Sequence, residues 1–375
     1  MTERFDRIVV GGGAMGLATT WQLASRGMRV LLLEQFEPGH ARGASHGATR
    51  NMNNAYTDAH FLELYDEALE LWRELEADGG RQLLTLTGLV THGDAERVAR
   101  AYDSLIARGA AAALISAEDA QDRWRGMRFE GEVLVSRDAG RIHASAALEV
   151  LASLAAERGA ELRHGHRVLE ISHDEGRAAI VALGPDGERV EFEAEGAVVT
   201  AGAWSSPLLQ GLVELPRLRV TEEHPAHFAP LPGYEQAEWP SFNHFQPAER
   251  RTGYRGNVYG MLTPGEGVKI GFHATGDEID PDARPFRAPD EAREQLREYV
   301  AEWFPGIDPD SAVEISCTYT LTPSERFVLD RSGAVTVGAG FSGQGFKFVP
   351  AIGRVLADAS LGLAAPPEAF RLAAH

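Results

Sequence analysis

Residues 8–34, IVVGGGAMGLATTWQLASRGMRVLLLE, constrain this chain more than any other stretch. An apolar run leads into a glycine turn, a helical pattern and a second apolar run that ends in an acid, the order of a dinucleotide-binding strand-helix-strand unit. The glycines have separate tasks: Gly11 makes the tight turn, Gly13 lets the backbone approach a pyrophosphate, and Gly16 lets helix and strand pack closely. The helix N-terminus then presents N–H groups and the positive end of its dipole to the phosphates. Glu34 stands 18 residues beyond Gly16, where a carboxylate can accept both hydroxyls of an adenosine ribose and disfavours a 2′-phosphate. The expectation is a bound ADP moiety, and the alternative is an empty structural turn.

At 375 residues the chain exceeds one ordinary core and should divide into about two domains, with 44% hydrophobic residues to fill them. A formal charge of −19 and the absence of any Lys/Arg-rich run argue against nucleic acid and anionic membranes as partners. MTERFDR runs directly into the first strand without a basic n-region or apolar h-region, and no apolar stretch approaches about 18 residues, so the expected location is cytoplasmic. The single cysteine, Cys317, excludes an internal disulfide framework and a cysteine-cluster metal site. His224 and His227 bracket Pro225, so they cannot form a regular helical ligand pair, and no metal is expected.

The organisation reads as interleaved. FLELYDEALELWRELEA is a helix whose Phe61, Leu62, Leu64, Leu69, Leu71, Trp72 and Leu75 form a broad apolar face. HASAALEVLASLAAER reads as a helix, AELRHG and HRVLEISHD as strands, RAAIVALGPDGERVEFEA as a hairpin turning at GPDG, and GAVVTAGAW as a further strand. From about 216 to 314 the composition shifts to proline, aromatics and charge, which predicts a second, mostly antiparallel sheet. GAVTVGAGFSGQGFKFVPAIGRVLADASLG then returns to a strand, a glycine-rich turn and a closing helix. The fold class is therefore α/β plus antiparallel β: a Rossmann-like dinucleotide domain with an interleaved substrate domain.

The late glycine turn separates cofactors. A nicotinamide enzyme needs one such turn, whereas a long flavin dinucleotide is commonly held at both ends, with a second helix N-terminus aimed at the isoalloxazine pyrimidine. Residues 340–345, including Gly343 and Gly345, are placed to supply it; the alternative is a helix start that merely packs tightly.

GGGAMG, SHGATR at 45–50, VKIGFH at 268–273, CTYT at 317–320 and GFSGQGFKF at 340–348 resemble the monomeric sarcosine oxidase and N-methyltryptophan oxidase family of D-amino-acid-oxidase-like flavoenzymes. The resemblance follows nearly the whole chain in order. It implies an FAD domain assembled from residues 1–85, 145–215 and 315–375, and a substrate domain from 86–144 and 216–314. It also implies oxidation of a secondary amine, of N-methyl or N-alkyl amino acid type, by dioxygen, with a monomer as the expected form.

Residue by residue, the resemblance makes Cys317 the point of covalent FAD attachment, through a thioether to the 8α-methyl carbon. Read alone, Cys317 would be a buried structural cysteine. His46 and Arg50 fall where the family places groups beside the flavin ring, and the fixed charge of a guanidinium suits anionic reduced flavin. Lys269 matches the lysine by flavin N5 that stabilises charge developing on oxygen; in a bare strand it would be a snorkelling lysine. His273, four residues on, shares its strand face and is placed by the same cavity, or is an ordinary hydrogen-bonded histidine. Lys347 matches the lysine that takes the substrate carboxylate, but the family arginine three residues after Arg50 is here Asn53. Asn243, in SFNHF, makes the neighbouring wall more polar. Tyr259 and Tyr319 match aromatic positions near the substrate, or are plain sheet residues.

The implied chemistry is hydride transfer from the C–H carbon beside a neutral amine to flavin N5, giving an imine that water hydrolyses, followed by reoxidation of the flavin by dioxygen to yield hydrogen peroxide. Two alternatives remain from the sequence: a flavin amine dehydrogenase using another acceptor, against which Lys269 argues, and a flavoprotein subunit without turnover, against which Arg50, Lys269 and Lys347 argue.

Overall fold

A computed structural model describes residues 2–174, 176–235, 237–246, 254 and 256–375. Its first sheet is built on the strand Glu3–Val10, which pairs in parallel with Val30–Leu33 on one side and with Arg189–Val199 on the other. Glu161–Arg163 extends the parallel array beyond Val30–Leu33, and Val335–Ala339 adds to the far end of Arg189–Val199. Chain segments from both ends of the sequence thus complete one sheet. The hairpin of Arg167–His173 and Ala178–Leu183 continues it in antiparallel fashion.

GERVEFEA and GAVVTAGAW, two strands by sequence, form one continuous strand of 11 residues, Arg189–Val199. Its first half pairs with the hairpin and its second half with Val335–Ala339. The polar alternation of the first half suits a one-sided meander, while the small apolar residues of the second suit a parallel core buried on both faces.

On one face lie the helices Ala14–Ser25, Ala59–Gly79, Ala144–Glu157 and Val349–Leu361, packed in one apolar cluster. Asp58 starts the second of these helices by accepting a hydrogen bond from His60 N at 3.0 Å, and Gly80 stops it with φ of 60°. Phe61, Leu62, Leu64, Trp72 and Leu75 are buried as the periodicity predicts, while Leu69 and Leu71 pack at the margin. The first helix approaches the sheet as closely as backbone allows. A Cβ on Gly16 would stand 1.8 Å from Gly11 O, and one on Gly353, in the closing helix, 2.7 Å from Ala18 C. Gly11 itself has φ of +102°, and a Cβ there would lie 2.6 Å from Thr200 O.

The second sheet runs in the order Val313–Glu314, Ala226–Phe228, Gly267–Phe272, Val258–Thr263, Ser241–Phe245, Leu89–Gly93, Glu132–Ser136 and Ala112–Ser116. Every pairing is antiparallel except Ser241–Phe245 with Leu89–Gly93, which is parallel. One face of this sheet packs on the helix Asp290–Trp303 through Phe242, Val268 and Ile270. By the two-residue period the opposite face carries Asn243, Tyr259, Met261 and Lys269. Cross-strand register sets Asn243 opposite Tyr259 and Met261 opposite Lys269. Cys317–Leu321 belongs to a small separate sheet, antiparallel to Arg219–Glu223. Among the described residues no helix is long and apolar enough to cross a membrane.

The Gly16 contact makes a direct prediction. Gly16→Ala must push the first helix off the glycine turn, an overpacking cost of about 1–3 kcal/mol. Urea unfolding should show a lower midpoint than wild type.

Candidate active site

A cavity of about 1420 Å³ runs from the first glycine turn to the inner face of the second sheet. Gly11, Gly13 and Glu34 line one end, and Lys269, His273, Asn53, Asn243, Tyr259 and Lys347 line the other. His46, Arg50, Cys317, Tyr319, Gly343 and Gly345 also line it. Every candidate cofactor, substrate or catalytic residue read from sequence therefore reaches one cavity except Gly16, which lies behind the turn and permits the packing just described. The volume exceeds the roughly 300–1,000 Å³ of drug-sized ligand sites and leaves room for a dinucleotide together with a small substrate.

At the first end, Glu34 Oε2 accepts from Gly12 N at 2.7 Å and Oε1 from Phe36 N at 2.9 Å. These two amides fix the carboxylate at the strand end and leave each oxygen a further lone pair for a hydroxyl. Gly13 occupies the N-cap of the first helix, and Ser45 Oγ accepts from Ala14 N at 2.9 Å. Ser45 was not evident from sequence, because its partner lies 31 residues away and no local period links them.

The segment after Ser45 is built around Arg50. Its guanidinium donates to Thr49 O and Ala44 O, each at 2.8 Å, and to His46 O, and it stands 5.5 Å from the centre of the Phe346 ring. Three carbonyls thereby hold the charge in one place. His46 Nδ1 faces Gly43 O at 2.9 Å, and burial together with the Arg50 charge pushes its pKa down to about 4. Cys317 and Tyr319 share a strand face, and the Cys317 Sγ lies 3.9 Å from Ala44 O.

Two lysines define the far end. Burial, and then the Arg50 charge, push the Lys269 pKa down to about 7. Among the described residues Lys269 makes no side-chain hydrogen bond or ion pair. Lys347 is also pushed down to about 7 by burial, but it donates to Tyr56 Oη and Gln344 O, both at 2.8 Å. Tyr56 was missed in the sequence: its partner is 291 residues away, and a tyrosine in a loop carries no periodic signal. His273 is pushed down to about 4 by burial, Lys347 and Arg97, so His46 and His273 are both neutral near pH 7.

Asn53 Oδ1 accepts from Ala55 N at 2.8 Å, and its Nδ2 stands 3.5 Å from Asn243 Oδ1. Asn243 Nδ2 in turn donates to Thr91 Oγ1 at 3.3 Å. The two asparagines are neighbours on the cavity wall, which their separation of 190 residues concealed. The Tyr259 and Tyr319 hydroxyls lie 3.5 Å apart, and burial raises both pKa values. Gly343 has φ of +71°, and a Cβ there would collide with the Tyr319 ring at 2.1 Å, so the second glycine turn closes directly on the aromatic wall. The turn leads through a short 3-10 segment, Gly345–Phe348, into the helix Val349–Leu361. Arg97 and Arg100 bring further cations to the cavity; they sit on the helix Ala95–Ala107, where exposed arginines are commonplace.

The glycine cradle and its acid share one cavity with the second glycine turn and the lysines, so a long dinucleotide held at both ends would bring its reactive ring to the cations. The chain belongs to the FAD dependent oxidoreductase family, whose model matches residues 6–359. It is 31% identical to monomeric sarcosine oxidase of Bacillus sp. (strain NS-129), covering 96% of this chain and 93% of that one. It is 32% identical to human peroxisomal sarcosine oxidase with the same coverage, and 26% identical to N-methyl-L-tryptophan oxidase of Yersinia pestis over 94% of each chain. Among solved structures, NikD, an unusual amino acid oxidase essential for nikkomycin biosynthesis, superposes with a TM-score of 0.84 at 30% identity, covering 99% of this chain and 97% of that one.

The lowered pKa of Lys269 sets the pH dependence of stability. Below about pH 7 the lysine is charged in both folded and unfolded chains, and the folded state bears the full cost of burying it. That cost declines as pH rises from about 7 to the ordinary lysine value of 10.5. Lys269→Met should therefore stabilise the flavin-free protein most at or below pH 7, with the gain shrinking toward pH 10.5 in denaturant titrations. A pH-independent difference would contradict the buried charge.

Proposed function

We propose that this chain is an FAD-dependent oxidase of secondary amines of the N-methyl or N-alkyl amino acid type, linked to its flavin through Cys317 and using dioxygen as acceptor. The observation that supports this best is the pair of buried lysines, Lys269 and Lys347, in the same cavity as the dinucleotide cradle. The names of the relatives, sarcosine and N-methyl-L-tryptophan oxidases, agree with it. The division into flavin and substrate segments, and a monomeric, cytoplasmic enzyme, are part of the same reading.

Bound FAD supplies a hydride acceptor at N5 and a route for the electron pair to dioxygen, giving hydrogen peroxide. The protein's part is to orient the substrate, exclude water and place charge. Lys347, held by Tyr56 and Gln344, presents an ammonium to the substrate carboxylate. The Tyr259 and Tyr319 rings wall the amine away from water. In a buried site that already holds Arg50, Lys269 and Lys347, an incoming ammonium is disfavoured, so the amine sheds its proton on entry and needs no dedicated general base. Lys269, with no competing partner among the described residues, is available to stabilise negative charge as it develops on oxygen. Arg50, with neutral His46 beside it, would hold a fixed positive charge for a flavin bound here. His273, between Lys347 and the tyrosines, shapes the same wall.

Stopped-flow measurement of the two half-reactions tests this assignment. In Lys269→Met, reoxidation by dioxygen should slow by about 10²-fold or more, while anaerobic reduction by substrate changes far less. Equal slowing of both would move Lys269 from oxygen to amine binding.

Asn53 bears on which amine is preferred. An amide offers one acceptor and two donors but no charge, so it suits a hydroxyl, an amide, or a carboxylate already neutralised by Lys347. Sarcosine should then be a poor substrate. Asn53→Arg should improve kcat/KM for sarcosine while reducing it for the preferred amine, by about 1–3 kcal/mol for each buried polar group left unpaired. Efficient wild-type turnover of sarcosine, unchanged by the substitution, would mean that another cation, such as Arg97, already completes the carboxylate site.

A further inference from the structure

The Cys317 thiol makes only weak contacts, with Sγ 3.9 Å from Ala44 O and 3.8 Å from Thr318 O. The residue before it is held far more firmly. Ser316 O accepts from Arg284 Nη2 at 2.5 Å, and Ser316 Oγ accepts from Arg284 Nε at 3.0 Å while donating to Glu222 Oε1. Arg284 Nε also meets Glu222 Oε1 at 3.2 Å, and the two side chains are only 0% and 2% exposed. Phe286 N donates to the same carboxylate oxygen at 3.0 Å. The remaining arm of the guanidinium, Nη1, donates to Arg42 O at 2.9 Å. Arg42 stands two residues before Ala44, whose carbonyl faces both Cys317 Sγ and Arg50.

One buried guanidinium therefore ties together the strand Arg219–Glu223, the residue preceding Cys317, and the loop that carries Arg50's carbonyl partners. A buried ion pair contributes little net stability compared with apolar packing of the same volume, but its planar fork imposes geometry. We propose that Arg284, with Glu222 and Ser316, is a positioning group for attachment of FAD to Cys317: it fixes the thiol against the Ala44 loop at the cavity wall. This rests on the reading that Cys317 carries the flavin. In that step a C–H bond of the 8α-methyl carbon and the S–H bond break, and the Sγ–C8α bond forms. Two protons are released and two electrons are left on the ring; dioxygen takes both electrons and both protons to become hydrogen peroxide. Arg284 takes no part in the bond changes and touches neither reacting atom.

The experiment adds FAD in air to the full-length chain purified free of flavin and follows flavin that stays with the protein on acid precipitation. Non-covalent FAD affinity is measured separately, by flavin fluorescence, with each substitution placed in a Cys317→Ser background. Arg284→Met should slow the appearance of acid-stable flavin about tenfold or more, as expected when a reacting group is displaced by a fraction of an ångström. Ser316→Ala, which removes a single hydroxyl and leaves the ion pair, should slow it less, and it decides the matter if Arg284→Met does not fold. Arg284→Lys keeps the charge without the fork and should not restore the rate. Non-covalent affinity should be unchanged throughout. Attachment at the wild-type rate in the variants, rescue by lysine, or loss of non-covalent affinity in step with attachment would each overturn the positioning role. Wild-type chain that never retains flavin would instead refute the Cys317 reading itself, and the positioning role with it.

Discussion

The contact between Gly16 and the carbonyl of Gly11 is the constraint on which the rest depends. It sets the first helix so close to the sheet that its N-terminus, the glycine turn and Glu34 converge on one edge of the cavity. Thr200 reinforces the approach from the neighbouring strand, with its N 2.9 Å from Val10 O and its hydroxyl donating to the Val10 and Gly11 carbonyls at 3.2 Å. Val335–Ala339 then joins the same sheet and delivers the second glycine turn to the other side of the cavity. The closing helix locks against the first through Gly353 and Ala18, so both ends of the chain hold one floor.

Over that floor the second sheet supplies the charge. Its alternation buries Phe242, Val268 and Ile270 on one side and turns Asn243, Tyr259 and Lys269 to the cavity on the other. A strand of this kind places a lysine in a buried site where, among the described residues, no carboxylate forms an ion pair with it, which is costly for folding and useful for chemistry that creates negative charge. The neutral histidines, the pinned Arg50 and the two lysines near their titration point form an environment that disfavours a protonated amine and favours an anionic product of electron transfer.

Much of this was legible in the sequence, where local pattern carries the information. The glycine spacing from Gly11 to Gly16, the apolar face from Phe61 to Leu75 and the late turn ending at Gly345 are all short-range signals tied to backbone conformation or period. The resemblance placed Lys269 beside the flavin, and the two-residue period then put His273 on the same strand face. The merged strand Arg189–Val199 was not legible, because its polar half and its small apolar half pair with different neighbours and read as separate elements. Tyr56, Ser45 and Arg284 were invisible for another reason: each acts through partners far along the chain, from segments without period. The adjacency of Asn53 and Asn243 belongs to the same class, since it comes from the second sheet folding over the loop that carries Asn53.

The central claim is that this cavity couples amine oxidation to dioxygen through FAD, and it is tested most directly on the purified flavin-loaded protein with a panel of secondary amines. Each amine is mixed anaerobically while flavin absorbance is followed, and air is then admitted while hydrogen peroxide is measured. The account predicts that at least one N-alkyl amino acid bleaches the flavin, and that the colour returns in air with one peroxide for each flavin reoxidised. A flavin that no secondary amine bleaches, or one that bleaches but stays reduced in air, would contradict it.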